Sequence, residues 1–265
     1  MSNVPIILIT GANTGIGFET IKALLGSPNA YNVLLGGRSL QKAEDAVQLA
    51  KSQFPSSQSS LSAIQVDIES DISISNAFEE VSAKHGRVDV LINNAGAAFD
   101  FEVQSGRMSM REAWNKSWDV NTTGTQIMTH TFVPLLLKSS DPRLLFVTSG
   151  TATLAETEDR SIWVNKVPAK GWPKQATGVP AYRSSKTGMN MMMREWSRIL
   201  TEDGVKVWCI SPGFLATGLG AGQEANKKMG AGDPAIGGNF IKDVVEGKRD
   251  QDVGTVIRTS SIQPW

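Results

Sequence analysis

Short apolar runs alternate with longer amphipathic stretches along nearly the whole chain. Runs dominated by Ile, Leu, Val and Phe fall at 6–10, 32–36, 61–66, 88–93, 143–148, 205–211 and 254–257. They read as strands buried on both faces. Between them, apolar residues recur at helical spacing over 15–27, 40–53, 72–84, 111–137, 181–200 and 234–246. Strand–helix alternation of this kind predicts βαβ units. The expected architecture is a Rossmann-type α/β fold: a doubly wound, parallel, seven-stranded sheet with helices on both faces. No composition break marks a boundary, so one domain is expected over 1–265. Two segments interrupt the rhythm. Residues 151–180 carry Trp163, Trp172 and three prolines, and 218–233 is a Gly-rich, charged loop. Both flank strand carboxyl ends, where ligands bind in open α/β sheets. A Ser-rich loop at 55–62 reads as filler.

Composition narrows the picture. The chain has 265 residues, 40% hydrophobic and 20% charged, with 26 basic residues against 26 acidic. That suits a globular protein with a sizeable core. With no basic face or tail, no nucleic-acid partner is expected. No apolar run is long enough to span a bilayer, so no membrane partner is expected either. The first run leads straight into a glycine turn and reads as a strand instead of a signal peptide, which implies a cytoplasmic protein. The single cysteine, Cys209, reads as a core thiol. His85 and His130 are the only histidines, and no ligand cluster surrounds them, so no metal is expected.

Chemistry concentrates in a few places. Tyr182 and Lys186 are four residues apart in a helical stretch and so share a face. A tyrosine beside a lysine cation can lose its proton more readily than its reference pKa of about 10 allows. The first strand runs into Gly11-Ala12-Asn13-Thr14-Gly15-Ile16-Gly17 and then a helix. Such glycines permit a tight turn, and the helix start offers unpaired N–H groups to a pyrophosphate. The spacing G-x-x-x-G-x-G is not the usual G-x-G-x-x-G. A turn with no ligand remains the alternative. After the second strand stands Arg38, with no acidic residue at the turn. It reads either as a donor fork for a ribose 2′-phosphate, favouring NADP(H) over NAD, or as a solvated side chain. Asn94, Ala95 and Gly96 follow the fourth strand and Asp67 the third; Asp67 could accept from an adenine amino group, or could serve turn chemistry alone. Ser149 ends the fifth strand, and Asn121 lies inside the 111–137 helix. Met189, Met191, Met192 and Met193 read as core filler, Trp114 and Trp118 as a packed helix face, and Phe99 and Phe101 as substrate-side residues.

Taken in order, these motifs resemble the short-chain dehydrogenase/reductase family, from residue 4 to about the end. The segment 10–17 is similar to its cofactor turn, and Asn93-Asn94-Ala95-Gly96 to its sheet motif. Asn121, Ser149, Tyr182 and Lys186 fall on its catalytic tetrad. Pro212, Gly213 and Thr217 match the turn after its sixth strand, where the Thr contacts the nicotinamide amide. The resemblance implies an NADP(H)-dependent oxidoreductase acting on a carbonyl or alcohol. Tyr182 would act as proton donor and Ser149 would hold the oxygen. Lys186 would bind the nicotinamide ribose and lower the Tyr182 pKa, and Asn121 would anchor a relay water. An imine or enone substrate, as in natural-product tailoring, is the alternative, and a regulator without turnover a third reading. The family implies a homodimer or homotetramer, a monomer not being excluded. Two departures stand out. Thr14 occupies a position that is often basic in NADP-using members, and the Ser149–Tyr182 gap is lengthened by the insertion at 151–180. That insertion either shapes a pocket for a bulky substrate or is an excursion tucked down by its two tryptophans.

Overall fold

The computed structural model describes residues 4–174 and 178–265. Seven strands form one sheet: β1 (Ile6–Ile9), β2 (Asn32–Gly37), β3 (Ser60–Gln65), β4 (Val90–Asn93), β5 (Arg143–Val147), β6 (Lys206–Ile210) and β7 (Val256–Ile257). Every pairing is parallel, in the order β3-β2-β1-β4-β5-β6-β7. The order reverses between β1 and β4, which opens a crevice at their carboxyl ends. All seven expected strands are present, with ends shifted by a residue or two.

The helices are α1 (Gly15–Leu25), α2 (Leu40–Gln53), α3 (Asp71–His85), α4 (Asp100–Gln104), α5 (Met110–Trp118), α6 (Thr125–Leu136), α7 (Pro180–Ile199), α8 (Gln223–Lys228) and α9 (Pro234–Val245). Strand side chains alternate between two cores. Ile7, Ile9, Val33, Leu35, Ile92 and Leu145 pack under α1, α2 and α9. Ile6, Leu8, Leu91, Leu144 and Phe146 pack under α3, α6 and α7. Each such side chain contributes roughly 1.5–3 kcal/mol by leaving water. Gly238 lets α9 close onto α1, because a Cβ there would collide with the Glu19 backbone. Met189 and Met193 lie in the core, whereas Met191 is exposed. Cys209 is buried in β6, and desolvation pushes its thiol pKa up.

Three differences from the sequence expectation bear on the site. The single helix expected over 111–137 is broken: a π-helical stretch, Asp119–Gly124, separates α5 from α6. Apolar spacing on both sides of the polar run 121–126 masks the break. Second, the loop at 218–233 contains α8. Third, Trp172 is 85% exposed and Trp163 55%, so the tryptophans do not tuck the insertion down. Among the described residues no helix is long and apolar enough to cross a membrane, and no cluster of His, Cys, Asp and Glu could hold a metal ion.

Candidate active site

The glycine turn packs its backbone tightly at the carboxyl end of β1. Gly11 and Gly15 both have φ near +59°, a left-handed conformation that costs other residues strain. A Cβ on Gly17 would sit 2.5 Å from Asn94 Nδ2 and 2.8 Å from Ala12 Cα. Thr14 caps α1 without a side-chain hydrogen bond, and the first turn of α1 has no acidic residue. The partial positive charge of the helix start is therefore left unanswered by the protein. Thr217 lies over this turn, its Cβ 3.6 Å from where a Cβ on Gly15 would be. Gly213 takes φ +101° in the turn after β6. The donor set fits a dinucleotide pyrophosphate.

β4 braces the turn from the side. Asn94 Nδ2 donates to the carbonyls of Thr10 (2.8 Å) and Gly11 (3.0 Å). Thr10 Oγ1 accepts from the N–H groups of Asn94 and Ala95. Asn94 thus supports the turn with its side chain, and Thr10, which sequence reasoning did not single out, completes the latch.

The π stretch carries Asn121 into the middle of the site. Its Oδ1 accepts from Ala97 N at 2.9 Å, and its Nδ2 donates to Ala97 O (2.8 Å) and Ser185 Oγ (2.9 Å). Ser185 Oγ donates in turn to Tyr182 O at 2.8 Å. Gly124 allows this placement, since a Cβ there would strike Ile68 O. Helix α7 begins at Pro180, and its next two N–H groups, those of Ala181 and Tyr182, donate to the buried Asp100 carboxylate at 2.9 and 3.1 Å. Asp100 is a second residue that the sequence did not expose. The loop after β4 therefore grips Tyr182 twice, through Asp100 and through Ala97–Asn121–Ser185.

Ser149 lies near enough to Tyr182 to act on its hydroxyl. Ser149 Oγ also accepts from Thr151 N at 3.2 Å and lies 3.0 Å from Thr151 Oγ1. Burial raises the Tyr182 pKa above its ordinary value, and the Ser149 hydrogen bond opposes that rise. Lys186 Nζ donates to Val147 O at 2.8 Å, and burial lowers its pKa to about 8. Burial is the largest influence on both groups. Nζ lies 3.1 Å from where a Cβ on Gly96 would be, and Asn121 Oδ1 lies equally close. Gly96 thus has to be small, and Asn121, Ser149, Tyr182 and Lys186 share one site.

Arg38 is exposed at the end of β2, and among the described residues nothing pairs with its guanidinium. Asp67 Oδ1 accepts from Glu69 N at 3.1 Å, a turn contact of its own.

A family model described as short chain dehydrogenase matches residues 5–159 and 170–228. The chain belongs to the short-chain dehydrogenase/reductase family. It is 48% identical over 270 residues to the short-chain dehydrogenase/reductase eupG of a Phoma species, covering 98% of this chain and 97% of the relative. It is 44% identical to the short-chain dehydrogenase/reductase tropE of Talaromyces stipitatus, covering 100% and 99%. A crystal structure of NADPH-bound carbonyl reductase from chicken fatty liver superimposes with a TM-score of 0.79 at 22% identity, over the full length of both chains. That likeness is one of fold.

The insertion and the loop at 218–233 are fastened to the elements around the site. The family match skips 160–169, within the insertion. Arg183 holds this segment through Thr151 O, Val164 O and Asn165 Oδ1. Gln104 of α4 donates to Gly178 O at its far end. Gly220 packs on the Phe101 ring, 3.1 Å from where its Cβ would be. Phe101 thus faces the 218–233 loop, while Phe99 lies under the Lys116 ammonium. Trp118 packs on Gly188 of α7.

Proposed function

We propose that this protein is an NADP(H)-dependent oxidoreductase that moves a hydride between nicotinamide and a carbonyl or alcohol, with Tyr182 as proton donor and acceptor. The observation that carries the reading is that Ser149, Tyr182 and a buried Lys186, its Nζ on Val147 O, stand at the same sheet edge as the glycine turn. Gly11, Asn13, Thr14, Gly15, Ile16 and Gly17 would hold the pyrophosphate side. Asn94, Ala95 and Gly96 would form the platform, and Pro212, Gly213 and Thr217 the nicotinamide side.

When bound, the cofactor supplies or takes the hydride. The rest falls to side chains. Ser149 Oγ donates to the carbonyl oxygen and fixes it beside Tyr182 Oη. As the carbonyl carbon gains hydride, negative charge builds on that oxygen, and Tyr182 neutralises it with a proton. A Tyr182 pKa held up by burial keeps the phenol protonated at neutral pH, which suits the reducing direction. Lys186 Nζ, poised between Val147 O and Gly96, would bind the nicotinamide ribose hydroxyls. Arg38, exposed and without an acidic neighbour at its turn, supports a 2′-phosphate and hence NADP(H). The NADPH held by the chicken carbonyl reductase points the same way.

Titration of wild type and Arg38→Ala with NADPH and NADH tests the cofactor. Wild type should prefer NADPH, and the variant should lose that preference with little change toward NADH. Equal affinity of wild type for both would make Arg38 a solvated side chain.

A further inference from the structure

The segment after β7 folds back onto the candidate site and touches its reactive strand end. Gln263 is 1% exposed, and its Nε2 donates to Ser149 O at 3.1 Å. Its Oε1 accepts from Arg258 Nε at 3.3 Å, and its N–H donates to Val256 O at 2.8 Å. Arg258 places both terminal nitrogens on the Glu156 carboxylate, and its N–H closes a tight turn on Ser261 O. Trp265 O accepts from Ala155 N (2.7 Å) and Thr153 Oγ1 (3.2 Å). The stretch from Ser149 to Glu156 is thus fastened to the 256–265 segment at its start, middle and end. The same segment walls a recess with Gly150, Pro212 and Gly213.

We propose that Gln263 is a positioning residue for Ser149: by holding the Ser149 carbonyl it sets the peptide orientation from which Ser149 Oγ meets the Tyr182 hydroxyl. Ser149 stands where β5 has ended, so no strand ladder fixes its carbonyl. The carbonyl has two acceptor sites; Ala152 N takes one at 3.1 Å and Gln263 the other. The Ala152 bond lies within the same short turn and moves with it. The Gln263 bond comes from 114 residues away and anchors the turn to the sheet edge through Val256. The Glu156–Arg258 pair in turn holds Gln263, because Arg258 Nε engages its amide oxygen. The inference rests on the reading of Ser149 and Tyr182 as the reactive pair.

Its test has a readout that needs no substrate. The chain has two tyrosines, Tyr31 and Tyr182, so ring-carbon-labelled tyrosine gives two NMR resonances, and Tyr182→Phe assigns them by deletion. Arg183 and Lys186 on the same helix and the Asp100 carboxylate at its start are charged neighbours of Tyr182, and all stay in every variant compared. Gln263→Met keeps the shape and removes the amide. Gln263→Glu keeps the size and the Arg258 contact but removes the donor, and serves if the first variant folds poorly. Either should raise the Tyr182 titration midpoint toward that of Ser149→Ala. With a reducible ketone, either should lower kcat at least tenfold while KM for NADPH stays within twofold. A titration in the Gln263 variants that overlays wild type would overturn the inference, as would an unshifted midpoint in Ser149→Ala. If wild type reduces no carbonyl compound, the functional reading fails, and the tyrosine titration still decides this inference.

Discussion

Burial tunes the reactive residues in two ways. Tyr182 loses water and holds its proton more tightly; Lys186 loses water and holds its proton less tightly, with a pKa near 8. For the lysine this has a consequence for stability. Its reference pKa is 10.5, so between pH 8 and 10.5 the unfolded chain binds a proton that the folded chain has released. Stability from this group therefore rises with pH across that window, by roughly 1.4 kcal/mol per unit at most. Cys209, its thiol pKa raised by burial, opposes this at higher pH, so pH 8 to 9 is the clean interval. Urea midpoints at both ends of that interval should diverge between wild type and Lys186→Met, with wild type gaining more. Equal changes would mean that Lys186 titrates normally. The candidate tetrad was legible in the sequence because its members fall in order on a known pattern. Asp100 and Gln263 were not. Their partners lie 81 and 114 residues away, and an Asp near a helix start or a Gln near a chain end carries no local mark of such a bond.

At the scale of elements, Tyr182 depends on how α7 starts and on what the π stretch delivers. Pro180 has no N–H to offer, so Asp100 takes the next two donors of the helix. Asp100→Ala leaves both unanswered in a buried place. We expect a loss of about 1–3 kcal/mol in denaturant unfolding, together with a fall in kcat larger than any change in cofactor affinity. Gly124→Ala should act through the π stretch: the new methyl would push it off Ile68 O and drag Asn121 from Ala97. Lower thermal stability and a rate reduced tenfold or more should appear together; a stable, fully active Gly124→Ala protein would show that the contact yields freely. The strands were readable because parallel, doubly covered strands are continuous apolar runs. The π break was not, because its polar run, Asn121 to Gln126, and Gly124 read as readily as a polar patch and a tolerated helix glycine as they do as a break. Of the two readings left open for the insertion, tucking by its tryptophans is not what the structure shows. Large apolar side chains suggest packing, yet polar contacts of Arg183 and Asn165 hold that segment.

Over the whole molecule, four distant stretches meet at one sheet edge. On the proposed reading the turn after β1 would receive the cofactor's phosphates and the ends of β4 and β5 would frame the reacting oxygen; the segment after β7 closes behind Ser149. The reversal of strand order between β1 and β4 creates that edge. The central claim is that this edge carries out proton-coupled hydride transfer with Tyr182 as the acid. Single-turnover oxidation of bound NADPH by a reducible carbonyl compound, in wild type and Tyr182→Phe, tests it most directly. The account predicts unchanged NADPH binding in the variant and hydride transfer slower by about 10²–10⁴-fold. A Tyr182→Phe protein that binds NADPH and oxidises it at the wild-type rate would contradict it.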